Sequence, residues 1–223
     1  MGEGLATQAL LRLMAWMSPA FPIGGFAYSG GLERAVHDRL VTDAAGLQGW
    51  IATLLRHGAL WNDAVLFCHA WRSHESEADL SEAADLGLAL AGSAERYLET
   101  LSLGRAFVGA AKAWPNGVFT RLPDDLPFPV AVGSVAGAQA VPAEDAMAAY
   151  LHAAVSQMIS AAIRLGVCGQ SEGVAVLAAL EEELVAVASR AASTSLDDLG
   201  TSCIQAEIAS LRHETQHSRL FRS

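Results

Sequence analysis

The chain has 223 residues, of which 52% are hydrophobic and 17% charged, and its formal net charge at pH 7 is −10. This length is enough for one hydrophobic core. Proteins that bind nucleic acid rely on Lys and Arg to neutralise phosphates, so an acidic chain with a single lysine, Lys112, argues against such a partner. Cys68, Cys168 and Cys203 are few and widely spaced, which argues against a disulfide framework or a zinc finger and predicts buried free thiols.

Neither a secretory leader nor a membrane span is expected. The apolar stretch near the N-terminus carries Glu3 and Arg12, whereas a leader has a basic start and then an uninterrupted apolar run. The long apolar segment after residue 145 is interrupted by His152, Gln157 and Arg164. We therefore expect a cytoplasmic protein without membrane contact.

Helical periodicity recurs along the first half of the chain. Apolar residues at spacings of three and four predict helices around residues 47–55 and 61–71. Ser76 and Asp79 form a capping box that predicts the start of another helix. A further helix is expected from about Glu95 to Trp114, where a Pro-Asn-Gly sequence follows.

The second half of the chain shows the same period. Pro142 stands where a first-turn proline is tolerated, and the helix that follows continues to about residue 165. Another helix is expected from about Glu172 to Ala192, and a last one after a capping box at Ser202 and Gln205. One face of this last helix carries Ile204, Ile208, Leu211 and Thr215. The apolar run 130–132 is too short for a sheet, so we predict an all-α fold, a single compact bundle of about eight to ten helices formed by residues 1–223.

Two segments depart from the helical pattern. The first, residues 18–31, holds two prolines, four glycines and three aromatic residues, and we call it the Pro/Gly loop. It cannot be a continuous helix, and its apolar content is unusual for a solvated loop. The second, the tail at about residues 212–223, ends the sequence with Leu220 and Phe221 between arginines. Such a tail predicts docking, either within the chain or on a partner.

One pattern indicates a different class of protein. His213, Glu214 and His217 match the H-E-x-x-H pattern of zinc peptidases, in which two histidines bind the metal and the glutamate is a general base. Such a site needs a third protein ligand, and no His, Cys, Asp or Glu follows His217. A zinc-dependent hydrolase is therefore the alternative interpretation, and transient nickel binding by the tail histidines is a further open one.

Other catalytic and nucleotide-binding motifs are not supported. Ser29 lies in a sequence that faintly resembles a hydrolase nucleophile elbow, but that motif requires a preceding strand, so Ser29 is expected to be a helix N-cap. A P-loop requires Gly-Lys-Ser/Thr, and Lys112 stands between two alanines. If GTP or ATP matters to its activity, another protein must bind it.

Several sequence segments, taken in order, resemble the UreF family of urease accessory proteins. They are SPAFPIGGFAYSGGLE at 18–33, WNDAV at 61–65, SLGRA at 102–106, PVAVG at 129–133, DDLG at 197–200 and RHETQHSRLFRS at 212–223. The family often has an aromatic residue at the position of His217, which implies that the zinc-like pattern is accidental.

The resemblance implies an all-α homodimer that is not an enzyme and has no cofactor of its own. Its role would be to bind UreD (called UreH in some bacteria), recruit the GTPase UreG and so promote nickel insertion into apo-urease, with nickel and GTP handled by those partners. By the same resemblance, partner binding is expected at Phe26, Tyr28, Ser29, Glu33, Arg212, Arg219, Leu220 and Phe221.

Overall fold

The computed structural model describes residues 2–223, with side chains from residue 6 onwards, and this part of the chain contains helices and no strand. The all-α prediction is confirmed, with one helix more than the predicted eight to ten. The helices are α1 (Gly2–Trp16), α2 (Leu32–His37), α3 (Ala44–His57), α4 (Ala59–Arg72), α5 (Glu77–Ala89), α6 (Ala94–Ala111), α7 (Phe128–Ala138), α8 (Ala143–Arg164), α9 (Gln170–Ala179), α10 (Glu181–Ala192) and α11 (Ile204–His213). Short 3-10 turns lie at Gly25–Ala27, Gly117–Thr120 and Leu196–Asp198.

The centre of the bundle is the contact between α4 and α7, which are almost entirely buried. The two backbones approach closely at glycines of α7. A Cβ atom on Gly133 would lie 2.3 Å from the carbonyl oxygen of Phe67, and one on Gly137 would lie 2.4 Å from that of Trp71. The apolar run at 130–132, too short for a sheet, is thus the buried first half of a helix, which begins after Pro127.

The longest helix, α8, packs against α2, α4, α9 and α10. Within the described part of the chain, it is the one helix that is long and apolar enough to cross a membrane by length and composition. Its side chains Met147, Leu151 and Val155 are fully buried, while His152 and Arg164 lie on its exposed side. Burial of one apolar face is typical of a core helix in a bundle.

Two predicted helix boundaries are wrong. The helix expected from Glu172 to Ala192 is two helices, because the chain turns at Leu180, which ends α9 and precedes α10. Leu180 is buried, and the three glutamates after it favour a new helix N-terminus at that point. α6 ends at Ala111, three residues before the predicted end.

Of the two predicted capping boxes, the first is confirmed in part and the second is wrong. The Ser76 hydroxyl accepts a hydrogen bond from the Asp79 amide at 3.3 Å and caps α5. The N-cap of α11 is Cys203, and no side chain caps that helix. The predicted apolar face of α11 points outwards, with Ile204 70% and Leu211 50% exposed. The three cysteines are free and buried, as expected, and burial raises the pKa of Cys68 to about 11.

Candidate functional site: a clasp between the tail and the Pro/Gly loop

The tail folds back onto the Pro/Gly loop and α2, and we call this arrangement the clasp. The Arg222 amide donates to the carbonyl oxygen of Ala27 at 2.8 Å, and the Ser29 amide donates to that of Ser223 at 3.0 Å. The Ser29 hydroxyl donates to the same Ser223 carbonyl oxygen. Phe221 is 4% exposed, and the Arg164 guanidinium lies 4.2 Å above its ring. The clasp therefore brings residues almost 200 positions apart into direct contact.

The carboxylate of Glu33, in the first turn of α2, anchors the tail backbone. It accepts hydrogen bonds from the amides of Leu220 at 2.7 Å and Phe221 at 3.0 Å. Burial alone would raise the pKa of Glu33, but these two amides and the imidazole of His213 outweigh it, so the pKa is lowered from its ordinary value. Glu33 is therefore a charged side chain inside the clasp, 7% exposed.

His213, the last residue of α11, joins Glu33 to α6. Its side chain is fully buried. The Nε2 atom lies 3.0 Å from Oε2 of Glu33, and the Nδ1 atom lies 2.6 Å from Oε2 of Glu95. The other oxygen of Glu95 accepts a hydrogen bond from Arg219 at 2.5 Å. Acidic and basic side chains thus alternate in the order Glu33, His213, Glu95 and Arg219, and they connect α2, α11, α6 and the tail.

The start of α2 depends on glycine rather than on a serine cap. Gly31 is the N-cap, with φ +81°, which side chains of L-residues rarely adopt. A Cβ atom there would also lie 3.1 Å from the backbone nitrogen of Ser210 in α11. The prediction of Ser29 as the N-cap is wrong in position, although its hydroxyl does accept a hydrogen bond from the Glu33 amide at 3.2 Å.

A second buried polar cluster lies directly behind the tail. Arg96 of α6 lies 2.9 Å from Asp63 of α4 and 3.1 Å from Glu99, and the Tyr150 hydroxyl donates to Asp63 at 3.0 Å. The Ser223 hydroxyl donates to Glu99 at 2.8 Å and so connects the tail to this cluster. Burial raises the pKa of Glu99 despite the opposing effect of Arg96.

A cavity of about 380 Å³ adjoins this cluster, between the Pro/Gly loop, α6 and α8. Apolar side chains such as Phe21 and Met158 line it, together with Asp63, Arg96 and Glu99. Because the charges of these three residues are paired with one another, we assign no ligand to the cavity.

Comparison with known proteins decides the family. The family model described as UreF matches residues 41–181. The chain is 62% identical to the urease accessory protein UreF of Agrobacterium fabrum over 215 residues, which cover 96% of each chain. It is 62% identical to UreF of Rhizobium leguminosarum bv. viciae, with 97% of each chain covered. This chain belongs to the UreF family. It is also 56% identical to UreF 1 of Brucella canis, over 97% of this chain and 95% of that one.

The structure places the eight residues for which a UreF-like partner role is expected in two groups. Tyr28, Ser29, Glu33 and Phe221 are each less than 9% exposed and belong to the interior of the clasp. Phe26, Leu220, Arg212 and Arg219 are exposed. The Arg212 guanidinium pairs with Asp38, the residue that follows α2, at 2.7 Å. The expectation that all eight bind partners stays a prediction, and the second group is accessible to a partner without rearrangement.

The two most exposed apolar residues of the clasp belong to segments that are hydrogen-bonded to each other. Phe26 is 73% exposed and Leu220 is 54% exposed. The backbone pairing of Arg222 with Ala27 holds their segments side by side. Aromatic side chains are enriched at protein–protein interfaces relative to the rest of the surface, so these two neighbouring segments are a candidate contact site for another protein.

The H-E-x-x-H pattern does not have the geometry of a zinc site in this UreF-family structure. A zinc site of that type needs both histidines on one continuous helix, and α11 ends at His213. Both ring nitrogens of His213 face carboxylates, and a carboxylate oxygen of Glu214 accepts the Ala94 amide at 2.8 Å. Within the described residues, no three His, Cys, Asp or Glu side chains are grouped as metal ligands.

The sequence analysis did not predict that acidic residues of α6 accept hydrogen bonds from the tail. Glu95 and Glu99 are four residues apart and therefore lie on the same face of the helix. Asp63 is a charged residue in the middle of the apolar run of α4. A charge at a position where the helical period predicts burial is the signal that could have identified this cluster, because buried charges require partners.

Proposed function

We propose that this chain is a non-catalytic scaffold for urease maturation, which binds UreD (UreH), recruits the GTPase UreG and promotes nickel insertion into apo-urease. We also infer that it acts in the cytoplasm as a homodimer, and that nickel and GTP are bound by its partners. The observation that carries the proposal is the clasp, whose two hydrogen-bonded segments expose Phe26 and Leu220 while Ser29, Glu33 and Phe221 are buried. Membership of the UreF family of urease accessory proteins supports it.

The arrangement of charges is consistent with a binding role. Acidic and basic side chains of the clasp are paired with each other, as in Glu33 with the buried His213 and Glu95 with the more exposed Arg219. Paired groups of this kind order a surface, whereas a catalytic acid or base must be free to exchange protons with a substrate. The sequence also lacks the Gly-Lys-Ser/Thr of a P-loop.

The proposal is tested by co-expression of the chain with UreD and UreG, followed by size-exclusion chromatography with light scattering. We expect the three proteins to elute as one complex, and the isolated chain to have the mass of a dimer. The double variant Phe26→Ala, Leu220→Ala should weaken the complex at least tenfold, because two apolar contacts are removed from an interface.

The matched control is the double variant Val174→Ala, Val185→Ala, which truncates two apolar residues that are 67% and 64% exposed on α9 and α10. It should leave the complex unchanged. Three proteins that elute separately would refute the scaffold role. Equal weakening by both double variants would show that the clasp surface has no special part in binding.

A further inference from the structure

We propose that Gln157 of α8 is a positioning residue for partner binding, which fixes the backbone at Phe26 so that the exposed ring is already in place in the free chain. This inference rests on the proposed function, because it concerns the same surface of the clasp. It follows from a contrast at Phe26. The side chain is 73% exposed, whereas the backbone around it is hydrogen-bonded to α8 and to the tail.

Two side chains of α8 hold the 3-10 turn that carries Phe26. The amide nitrogen of Gln157 donates to the carbonyl oxygen of Gly25 at 2.6 Å, and the Arg164 guanidinium donates to that of Phe26 at 2.6 Å. Gln157 and Arg164 are seven residues apart and therefore lie on the same face of the helix. Two consecutive carbonyl groups of the turn are thus bound to a helix that is anchored in the core.

The other carbonyl groups of the turn also have donors. The Ala27 amide donates to Gly24 at 3.2 Å, and the Tyr28 amide donates to Gly25 at 3.0 Å. The Arg222 amide of the tail donates to Ala27 at 2.8 Å. Each carbonyl oxygen from residue 24 to residue 27 therefore accepts a hydrogen bond from the protein. Surface loops whose backbone groups face water are mobile, so these bonds predict that the turn is ordered without a partner.

Gly25 shows that the Gln157 amide group lies directly against the turn. Gly25 is buried, and a Cβ atom on it would overlap the side-chain oxygen of Gln157. The amide group thus occupies the space that a side chain at position 25 would take. The absence of a side chain at Gly25 allows the amide nitrogen to reach the carbonyl oxygen of the same residue.

Order in the free chain lowers the cost of binding. Immobilising a loop on association costs free energy, and a contact residue that is held beforehand avoids part of this cost. With its backbone fixed, the Phe26 ring has only a few staggered positions. The partner that fits this surface therefore has a preformed apolar pocket for one aromatic ring, because a fixed ring cannot move to meet it.

The first test measures binding of the chain to immobilised UreD in the presence of UreG. Gln157→Ala should raise the dissociation constant about three- to tenfold, which corresponds to the loss of one neutral hydrogen bond. Gln48→Ala is the matched control, because Gln48 is a half-buried glutamine of α3 whose side chain makes no hydrogen bond among the described residues. It should leave the dissociation constant unchanged.

A double-mutant cycle shows whether Gln157 acts through Phe26. The variant Phe26→Ala has no ring to position, so the addition of Gln157→Ala should not weaken binding further. If the effects of the two substitutions add, Gln157 contributes to binding independently of Phe26, and the positioning role is overturned.

NMR relaxation of the free chain gives a measurement that needs no partner. The backbone order parameter of Phe26 should be near about 0.85, the value of rigid backbone, and should fall towards about 0.6 in Gln157→Ala. Order parameters in the core of α4 should not change. The midpoint of urea denaturation should shift no more in Gln157→Ala than in Gln48→Ala, because the Tyr28 amide still donates to Gly25.

The outcomes separate this inference from the proposed function. If the unmodified chain does not bind UreD and UreG, the scaffold role is refuted and this inference with it. If Phe26→Ala weakens binding and Gln157→Ala does not, the scaffold role stands and the positioning role is overturned. A mobile Phe26 backbone in the unmodified free chain would also overturn the positioning role, whatever the binding results.

Discussion

Glu33 and Arg219 show how single residues hold the tail in different ways. Glu33 is 7% exposed and accepts two backbone amides as well as the imidazole of His213. Arg219 pairs with Glu95 at the periphery, where its side chain is 39% exposed. A buried carboxylate with several partners contributes to the fold, whereas a half-exposed arginine adds little stability and is accessible to a partner.

The accessibility of Arg219 leads to a prediction at the residue scale. Arg219→Ala should reduce recruitment of UreG and activation of urease, while the free energy of unfolding falls by no more than about 1 kcal/mol, because exposed ion pairs are weak. Urease activation in cells and urea denaturation of the purified chain measure the two effects. Arg105→Ala is the control, since Arg105 pairs with Asp125 where both side chains are more than half exposed. Equal urease activation in both variants would show that Arg219 does not take part in the proposed contact with UreG.

At the scale of helices, the position of the clasp depends on how closely α4, α6 and α7 pack. Glycines allow two of these contacts. Gly133 of α7 faces the backbone of α4. A Cβ atom on Gly104 of α6 would overlap the carbonyl oxygen of Leu126, just before α7, and would lie 3.2 Å from the backbone nitrogen of Phe128, the first residue of α7. Since α6 carries Glu95 and Glu99, and α4 carries Asp63, separation of these helices would displace the groups that receive the tail.

This packing predicts opposite effects for two substitutions of glycine by alanine within helices. Gly133→Ala should lower the free energy of unfolding by about 2 kcal/mol or more, because the new methyl group overlaps a backbone oxygen that cannot move independently. Gly109→Ala should raise it by about 0.5–1 kcal/mol, because a Cβ atom there has nothing within 4 Å and alanine favours the helix. Urea denaturation measures both changes. A neutral effect of Gly133→Ala would show that α4 and α7 can separate at little cost.

At the scale of the whole molecule, the clasp links the tail to segments that lie more than a hundred residues earlier in the sequence. The tail contacts the Pro/Gly loop and α2 on one side and α6 on the other, through Ser29, Glu33, Glu95 and Glu99. Contacts between residues far apart in sequence couple the stability of the segments that they join. Protonation of Glu33 should therefore affect the stability of the folded chain as well as the position of the tail.

This coupling predicts how stability changes in acid. At neutral pH, Glu33→Gln should lower the free energy of unfolding by about 3 kcal/mol, because a buried charge pair loses one partner. The pKa of Glu33 is lowered in the folded state, so its contribution is present above the unfolded value of about 4.3 and is lost as pH falls through the folded value. Urea denaturation at successive pH values measures the free energy of unfolding of Glu33→Gln and of the unmodified chain. The difference between these two free energies should become smaller below about pH 4.

The control for the acid experiment is Glu82→Gln, which changes an exposed glutamate in the middle of α5. It should have little effect at any pH. If the free energy of unfolding of Glu33→Gln stays below that of the unmodified chain by the same amount in acid, Glu33 does not hold the tail as a charged side chain.

Much of the helical framework could be predicted because its signals are local. The apolar spacing around Leu47 and Ile51 and the capping serine at Ser76 correspond to α3 and α5 in the structure. The break at Leu180 was not predicted, since the residues on both sides are good helix formers, and the three glutamates that favour a helix N-terminus there also fit the interior of a continuous helix. The exposure of the apolar face of α11 could not be predicted either. Periodicity shows which residues share a face, but it does not show whether another helix packs against that face.

The sequence by itself determined the helical class, the resemblance to the UreF family, and the unusual character of the Pro/Gly loop and the tail. Only the tertiary structure decided that these two segments bind each other, that Phe221 is buried while Leu220 is exposed, and that His213 lies between Glu33 and Glu95. The physical reason is the separation in sequence. Whether a charged or aromatic side chain is buried depends on partners more than a hundred residues away, and no local pattern records their positions.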